Sequence, residues 1–186
     1  MRWTRVCGGG GSETVIFGLI DSGTTNTRVR LSDGDRVLAA VTEAVGARDA
    51  ARDGSNSRLR SALHRLVQEA GLQAGIPVGD IAVLIASGMI TSNLGLLEVP
   101  HVQAPVRPAE LARAIVTKRF PDIAPCDIAF IPGIKTVASD GELVGSDILR
   151  GEEAEVVGLR RLMGLAGPVT FLHYGSPHNA VRTDAA

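Results

Sequence analysis

The stretch LIDSGTTNTRVRL, residues 19–31, joins two predicted strands through a short turn of small and hydroxyl-bearing residues. Val15–Ile20 is a continuous apolar run, typical of a buried strand, and it is followed by an acid, Asp21. Thr27–Leu31 alternates polar and apolar residues, as a half-buried strand does. Glycine lets a backbone approach a ligand closely, and the N–H groups and hydroxyls of such a turn suit a phosphate. The same residue types build ordinary hairpin turns, so both interpretations stay open here.

The rest of the chain predicts a mixed sheet of five strands with helices on its faces. Three strands joined by short turns come first and should be antiparallel, whereas the strands that follow are separated by helices and should be parallel. The segment Ala47–Ser57 is polar and rich in Gly and Asp, which predicts a loop. The predicted strands are Val15–Ile20, Thr27–Leu31, Arg36–Thr42, Ile81–Ala86, Asp127–Ile131 and the later Val169–His173; the predicted helices are Arg58–Gly71, Pro108–Phe120 and Glu152–Met163.

Composition narrows the class of protein. The 186 residues carry a formal net charge of −1 and are 45% apolar, enough for one domain with an aliphatic core and no sign of nucleic-acid binding. Cys7 and Cys126 share no disulfide-like or metal-like spacing, as expected in a reducing cytoplasm. No apolar run reaches transmembrane length, so we expect a cytoplasmic protein with no membrane partner. Residues 1–13 contain GGGGS and predict a disordered N-terminus.

Three further segments carry candidate functional groups. ASGMITSNLGLLEVP, residues 86–100, follows a predicted buried strand with hydroxyls and amides that suit a polyhydroxylated ligand, or forms a plain surface connection. In SDILRGEEAEVVGL, residues 146–159, an arginine could grip a carboxylate and a glutamate could accept a proton, although charges at a helix start are more often caps. FLHYGSPHNAV, residues 171–181, repeats the strand-turn-strand logic of residues 19–31.

Taken in order, these segments resemble the 2-dehydro-3-deoxygalactonokinase family of sugar-acid kinases. The resemblance rests on the motifs DSGTTNTRVRL, SGMITSNLGL, VP, IPGIKT, DILRGEE and HYGS, and it covers Val15 to about Thr183. It implies a ribonuclease-H-like domain of the actin-like ATPase fold over residues 14–167. Residues 168–186 would be the start of a second domain. The implied reaction is phosphorylation of 2-dehydro-3-deoxy-D-galactonate to its 6-phosphate by ATP and Mg²⁺, in galactonate breakdown.

The resemblance also implies residue roles. Asp21 and Glu152 would be catalytic, with Asp21 holding Mg²⁺ and Glu152 acting as the base. Phosphate would be bound by Gly23, Thr24, Thr25 and Asn26 in the first turn and by Gly175 and Ser176 in the second. The acid sugar would be bound by Ser87, Gly88, Met89, Ser92, Asn93 and Arg150, with Arg150 on its carboxylate.

Two departures from the family pattern qualify these expectations. The second phosphate turn of family members carries a histidine and a lysine where this chain has Pro177 and Asn179. The family fold needs a second domain that clamps the nucleotide, and we expect this chain to lack it, which would impair its phosphorylation activity. Val169–Val181 would then be disordered, pack on the first domain or self-associate, or a partner would supply the missing domain. The alternatives are a non-catalytic sugar-acid-binding module, an inactive fragment of such a kinase, or a generic nucleotide-binding domain of this fold.

Overall fold

The computed structural model describes residues 14–136, 147–174 and 178–184. The predicted disordered N-terminus, residues 1–13, lies outside the described residues. The strands are β1 (Ile16–Ser22), β2 (Thr27–Ser32), β3 (Val37–Glu43), β4 (Ile81–Gly88), β5 (Val102–Gln103), β6 (Val116–Arg119), β7 (Asp127–Phe130), β8 (Ile134–Thr136), β9 (Asp147–Leu149), β10 (Val169–Tyr174) and β11 (His178–Thr183). The helices are α1 (Ala47–Asp53), α2 (Ser57–Ala74), α3 (Pro108–Arg113) and α4 (Glu152–Leu162).

The main sheet has the order β3-β2-β1-β4-β7-β6. β1, β2 and β3 are antiparallel neighbours, and β1, β4 and β7 run parallel. This confirms the expected mixed sheet, with antiparallel strands first and parallel crossovers after them. Because β1, β4 and β7 are parallel, their carboxyl ends lie at one edge of the sheet, where open α/β sheets bind ligands.

The core is aliphatic and packs α2 against the sheet. Leu59, Leu63 and Leu66 of α2 are buried in one cluster with residues of β2 and β3. Their spacing of three and four residues places them on one helix face, as the sequence predicted. Gly75, in the left-handed conformation, ends the helix and donates its N–H to Leu72.

Two elements differ from the prediction. Residues 47–53 of the predicted loop form α1. Two N–H groups of its first turn donate to carbonyls of the β1–β2 turn, and this contact, which no local periodicity indicates, stabilises the helix. The predicted helix Pro108–Phe120 stops at Arg113, and Val116–Arg119 instead pairs with β7 as a sixth strand. The β-branched run Ile115-Val116-Thr117 explains this, because such residues favour strands over helices.

Two smaller sheets complete the molecule. β8 pairs in parallel with β5 and antiparallel with β9, which brings three distant chain segments together. The predicted strand Val169–His173 is confirmed as part of β10, which within the described residues pairs with β11 alone. Arg160 of α4 donates hydrogen bonds to Gly167 O, which precedes β10, and to the hydroxyl of Thr183 in β11, so the hairpin is hydrogen-bonded to α4.

Candidate active site

The first two candidate segments meet at the carboxyl edge of the main sheet. β1 and β4 are paired in register, so Asp21 lies beside Ser87 and Ser22 lies beside Gly88. Gly88 has a φ of +87°, and a Cβ there would stand 2.6 Å from Ser22 O. This position therefore needs glycine both for its backbone conformation and for space. The predicted phosphate turn and the predicted sugar loop start from adjacent backbone positions.

The carboxylate of Asp21 is half-exposed and faces its cross-strand neighbour. Arg28 Nη1 donates to Asp21 Oδ2 at 3.1 Å, and both side chains are 46% exposed. Arg28 is a candidate phosphate ligand that the sequence analysis did not single out. The signal was present, because pairing across the four-residue turn 23–26 places residue 28 opposite residue 21.

Some polar groups of the turn that follows Asp21 form hydrogen bonds within the turn. Gly23 donates its N–H to Asn26 O at 2.9 Å, so that group is not offered to a ligand. Thr25 Oγ1 accepts a hydrogen bond from the amide of Asn26 at 3.0 Å, which leaves its own O–H to donate. Thr24 is exposed. The hydroxyls of Thr24 and Thr25 therefore fit a phosphate better than the Gly23 N–H does.

Helix α1 fixes this turn from below. Ala47 N donates to Gly23 O at 3.1 Å, and Arg48 N donates to Thr24 O at 2.9 Å. The N–H groups of a first helical turn have no partner within the helix, so the two elements satisfy each other. The carbonyls of the turn consequently point toward α1.

The predicted sugar loop, residues 87–93, is held in place by hydrogen bonds from its own hydroxyl groups. Thr91 Oγ1 donates to Gly88 O at 3.0 Å, and Ser92 Oγ donates to Met89 O at 2.7 Å. Both side chains are buried, whereas Asn93 is exposed. A shallow hollow of about 290 Å³ lies beside Asn93 rather than between Asp21 and Arg150, and is lined by Ala50, Ala51, Gly54, Ser55, Asn56, Asn93, Leu94 and Gly95.

The start of α4 comes down onto the same sheet edge. Gly151 has a φ of +123°, and a Cβ there would stand 3.3 Å from the Cα of Gly88. Glu152 follows directly, and its Oε2 accepts the N–H of Arg150 at 3.1 Å. The β1, β4 and α4 segments thus converge within contact distance through Ser22, Gly88 and Gly151.

The neighbouring Glu153 is buried, with 2% of its surface exposed. Both of its carboxylate oxygens lie within 2.9 Å of the N–H of Gly151, which donates to them. Burial raises the pKa of this carboxyl group above its ordinary value. Its place in the first helical turn is that of a buried cap.

Arg150 is half-buried and held by the sugar loop. Its Nη1 donates to Thr91 Oγ1 at 2.6 Å and also to Thr91 O, and its Nη2 lies 3.4 Å from Val99 O. Nη2 also lies 2.9 Å from His101 Nε2 and 3.2 Å from His101 Nδ1. Burial lowers the pKa of the guanidinium, which nevertheless stays charged at neutral pH. Arg150 therefore joins α4 to the loop between Thr91 and His101.

The second turn is only partly described. Gly175 and Ser176, its predicted phosphate ligands, and Pro177 lie outside the described residues. Asn179 of β11 donates its amide to Glu152 Oε1 at 2.6 Å. Asn179, which stands where family members carry a lysine, thus contacts Glu152, the residue predicted to be the base.

No three His, Cys, Asp or Glu side chains of the described residues are grouped closely enough to hold a metal ion by themselves. Over the same parts of the chain, no helix is both long and apolar enough to cross a membrane.

Comparison with known proteins assigns the chain to a family. The crystal structure of a Sinorhizobium meliloti protein, provisionally assigned as a 2-dehydro-3-deoxygalactonokinase, superposes with a TM-score of 0.69 at 22% identity. The match covers 90% of this chain and 49% of that one, so the chain spans about half the length of this solved relative. This similarity confirms the fold.

A reductive activator for a corrinoid, iron-sulfur protein superposes with a TM-score of 0.45 at 20% identity. The match covers 67% of this chain and 24% of the activator, a similarity too weak to indicate a shared function. No curated protein matches the sequence significantly. The model of one family, 2-keto-3-deoxy-galactonokinase, matches residues 21–186, nearly the whole chain. The chain belongs to the 2-keto-3-deoxy-galactonokinase family.

Proposed function

We propose that this chain is the phosphate- and sugar-acid-binding lobe of a kinase that phosphorylates 2-dehydro-3-deoxy-D-galactonate at its terminal hydroxyl. ATP would be the phosphoryl donor and the 6-phosphate the product. Membership of the family supports the reaction class. The observation that carries the proposal is the register of β1 and β4, which sets Asp21 beside Ser87 and brings Gly151 onto Gly88.

The terminal phosphates of ATP would lie over the β1–β2 turn. In this turn Thr24 is exposed, the amide of Asn26 donates to the hydroxyl of Thr25, and the guanidinium of Arg28 stands beside Asp21. Phosphoryl transfer depends mainly on positioning and on neutralising the charge of the phosphates. A turn fixed from behind by α1 provides that positioning.

The donor set at Asp21 fits Mg²⁺ as a nucleotide carries it. Mg²⁺ keeps several waters and is usually bound through one or two carboxylates together with substrate phosphates. One half-exposed carboxylate at the strand end therefore suffices, although no cluster of three ligating groups exists among the described residues. A bound Mg²⁺ would neutralise charge on the phosphates, and Arg28 would compete with it for Asp21.

The acid sugar would lie over the loop from Ser87 to Asn93, with its carboxylate toward Arg150. The terminal hydroxyl oxygen would attack the γ-phosphorus of ATP, the bond to the bridging oxygen would break, and ADP would leave. Glu152 is our candidate for accepting the hydroxyl proton. Each of its oxygens receives one N–H, from Asn179 and Arg150, and an ionised carboxylate has further lone pairs that can accept a proton.

A non-catalytic sugar-acid-binding module is the second candidate. It is favoured by one observation at Asn179, where the family pattern has a lysine: the amide of Asn179 contacts Glu152 instead of supplying a cation for a phosphate. In such a module the acid would bind to this lobe without turnover of ATP.

The test incubates the purified chain with ATP, Mg²⁺ and 2-dehydro-3-deoxy-D-galactonate. ADP release is followed by a coupled assay, and the 6-phosphate by mass spectrometry. We expect ADP release that depends on the acid sugar, and loss of that release by at least about tenfold in Asp21→Asn, because a carboxylate that holds Mg²⁺ at the phosphates is removed.

Asp35→Asn is the matched control, since Asp35 is an exposed acid in the next hairpin turn. Binding of the acid sugar without any ADP release would favour the module instead. Equal rates for the two variants would remove Asp21 from the reaction centre.

A further inference from the structure

Three basic residues lie on or beside the small sheet near the start of α4, and two of them, Arg150 and His101, are in contact. Arg150 follows β9, Lys135 lies on β8, and His101 directly precedes β5. Because β8 pairs with both β5 and β9, the sheet itself brings these segments together. The motifs VP and IPGIKT were given no role in the sequence analysis, and the segments that carry them lie near Arg150 in the fold.

Among the described residues this cluster has no contacting acid, unlike several other cations of the chain. Arg28, Arg60 and Arg65 each lie within 3.1 Å of a carboxylate oxygen. Across the described residues, neither Arg150 nor Lys135 forms a salt bridge with a carboxylate. Glu98 and Glu153 act on Arg150 through space, but neither forms an ion pair with it in the described structure. The positive charge of the cluster is therefore not matched by a contacting anion from the described part of the chain.

His101 occupies the position that an anion would take beside Arg150. Both of its ring nitrogens lie within 3.2 Å of Arg150 Nη2, and a ring nitrogen can accept a hydrogen bond only when the imidazole is neutral. Burial, Arg150 and Lys135 together lower the pKa of His101. The ring packs closely against Gly133, because a Cβ at that position would stand 2.8 Å from His101 Cδ2.

We infer that Arg150, His101 and Lys135 form a site for the carboxylate of a 2-oxo acid, an inference that rests on the proposed function and names how its substrate class is selected. Nη1 of Arg150 stays anchored on Thr91, while the imidazole moves away from Nη2 and the carboxylate takes its place. The ring then takes up one proton from solvent and donates it in a hydrogen bond to the ligand. Lys135 is exposed and adds charge at the opening.

This exchange makes acid binding depend on pH. In the free protein the lowered pKa of His101 keeps the ring neutral at neutral pH, and a bound carboxylate raises that pKa. Affinity for the acid therefore increases as the pH falls from the pKa of His101 in the complex toward its lower pKa in the free protein. The carboxylate of the ligand stays ionised over this range. A neutral sugar cannot drive the exchange, so the site selects acids.

The first experiment uses pyruvate, which has the same 2-oxo acid end as 2-dehydro-3-deoxy-D-galactonate. Imidazole resonances are followed by NMR in the full chain during titration with pyruvate, and with hydroxyacetone as the neutral control. We expect pyruvate to raise the pKa of His101 and hydroxyacetone to leave it unchanged. The exposed His64 serves as the internal reference. A His101 resonance that ignores pyruvate would overturn the inference.

The second experiment measures binding of 2-dehydro-3-deoxy-D-galactonate by calorimetry in HEPES and in Tris, whose ionisation enthalpies differ. We expect uptake of close to one proton per ligand, and its loss in His101→Gln together with roughly tenfold weaker binding, the value of one charge-assisted hydrogen bond. His64→Gln is the matched control. Lys135→Gln should weaken binding about two- to fivefold and Lys118→Gln, at the chain's other lysine, not at all.

These outcomes separate the inference from the proposed function. Turnover of the acid sugar with unchanged KM in His101→Gln and no proton uptake would overturn the inference and leave the kinase standing. A pyruvate-dependent pKa change in a chain that never releases ADP would uphold the inference and remove the kinase.

Discussion

At the scale of single residues, Gly46 shows how closely α1 packs against the predicted phosphate turn, residues 23–26. Its φ of −156° is ordinary extended backbone, so conformation does not explain the glycine. A Cβ at this position would lie 2.5 Å from the carbonyl atoms of Thr24 and 2.6 Å from Gly23 O. Asp49 Oδ2 accepts the Gly46 N–H at 3.0 Å and holds the backbone in place. The close approach of α1 to the turn therefore depends on the missing side chain.

We predict that Gly46→Ala lowers the free energy of unfolding by about 1–3 kcal/mol, because the backbone of the turn must move to admit a methyl group. Urea denaturation of the variant measures the loss. Gly79→Ala is the matched control, since a Cβ there meets nothing within 4 Å. Midpoints that shift equally in the two variants would show that the contact with Thr24 does not limit packing.

The same scale shows what sequence reasoning can reach. The position of Asp21 near the end of a strand followed from the apolar run before it, because a buried run that stops on an acid marks the sheet edge. The partners of Arg150 did not follow, because Thr91 and His101 lie 59 and 49 residues away along the chain. Only the pairing of strands decides which distant side chains meet.

At the scale of elements, predictability tracks the strength of the sequence pattern. β1 and β4 are apolar runs, β2 alternates and α2 has helical spacing, and all four were predicted close to their observed bounds. The seven-residue α1, which lacks such a pattern, was missed. The small sheet was invisible, since strands of two or three residues carry no period. Yet that sheet assembles the cluster at Arg150, so the part of the site that sequence reasoning missed is the part built from the shortest strands.

The hairpin β10–β11 is joined to α4 by hydrogen bonds, among them one from Arg160. Arg160 donates to Gly167 O and Leu165 O, each at 3.0 Å, and to the hydroxyl of Thr183. We predict that Arg160→Ala lowers the hydrogen-exchange protection of β10 and β11 by at least about tenfold, because several charge-assisted hydrogen bonds are lost together. Exchange in β4 should not change.

Arg161→Ala is the control for this prediction, as Arg161 is the exposed neighbour on the same helix. Hairpin protection that survives the loss of Arg160 would mean that Asn179 on Glu152, the other hydrogen-bonded contact to α4, holds the hairpin by itself.

At the scale of the whole molecule, apolar surface collects at the end of α4 and on the hairpin. Leu159, Leu162 and Met163 are exposed at the end of α4, and Leu172 is exposed on β10. Within the described residues, β10 and β11 pair only with each other, so each strand keeps one edge without a partner strand. Unpaired edges beside apolar side chains favour association between chains.

We predict that the chain self-associates through this face. The sedimentation coefficient should rise with protein concentration, and Leu162→Lys should keep the chain monomeric, because a charge is introduced into the contact. Leu72→Lys is a closely matched control: Leu72 is 84% exposed and Leu162 is 85% exposed, but Leu72 lies on α2. Only position, and not exposure, separates the two variants. A wild-type chain that sediments as a monomer at every concentration, or a loss of association in both variants, would show that the exposed end of α4 is not a contact between copies.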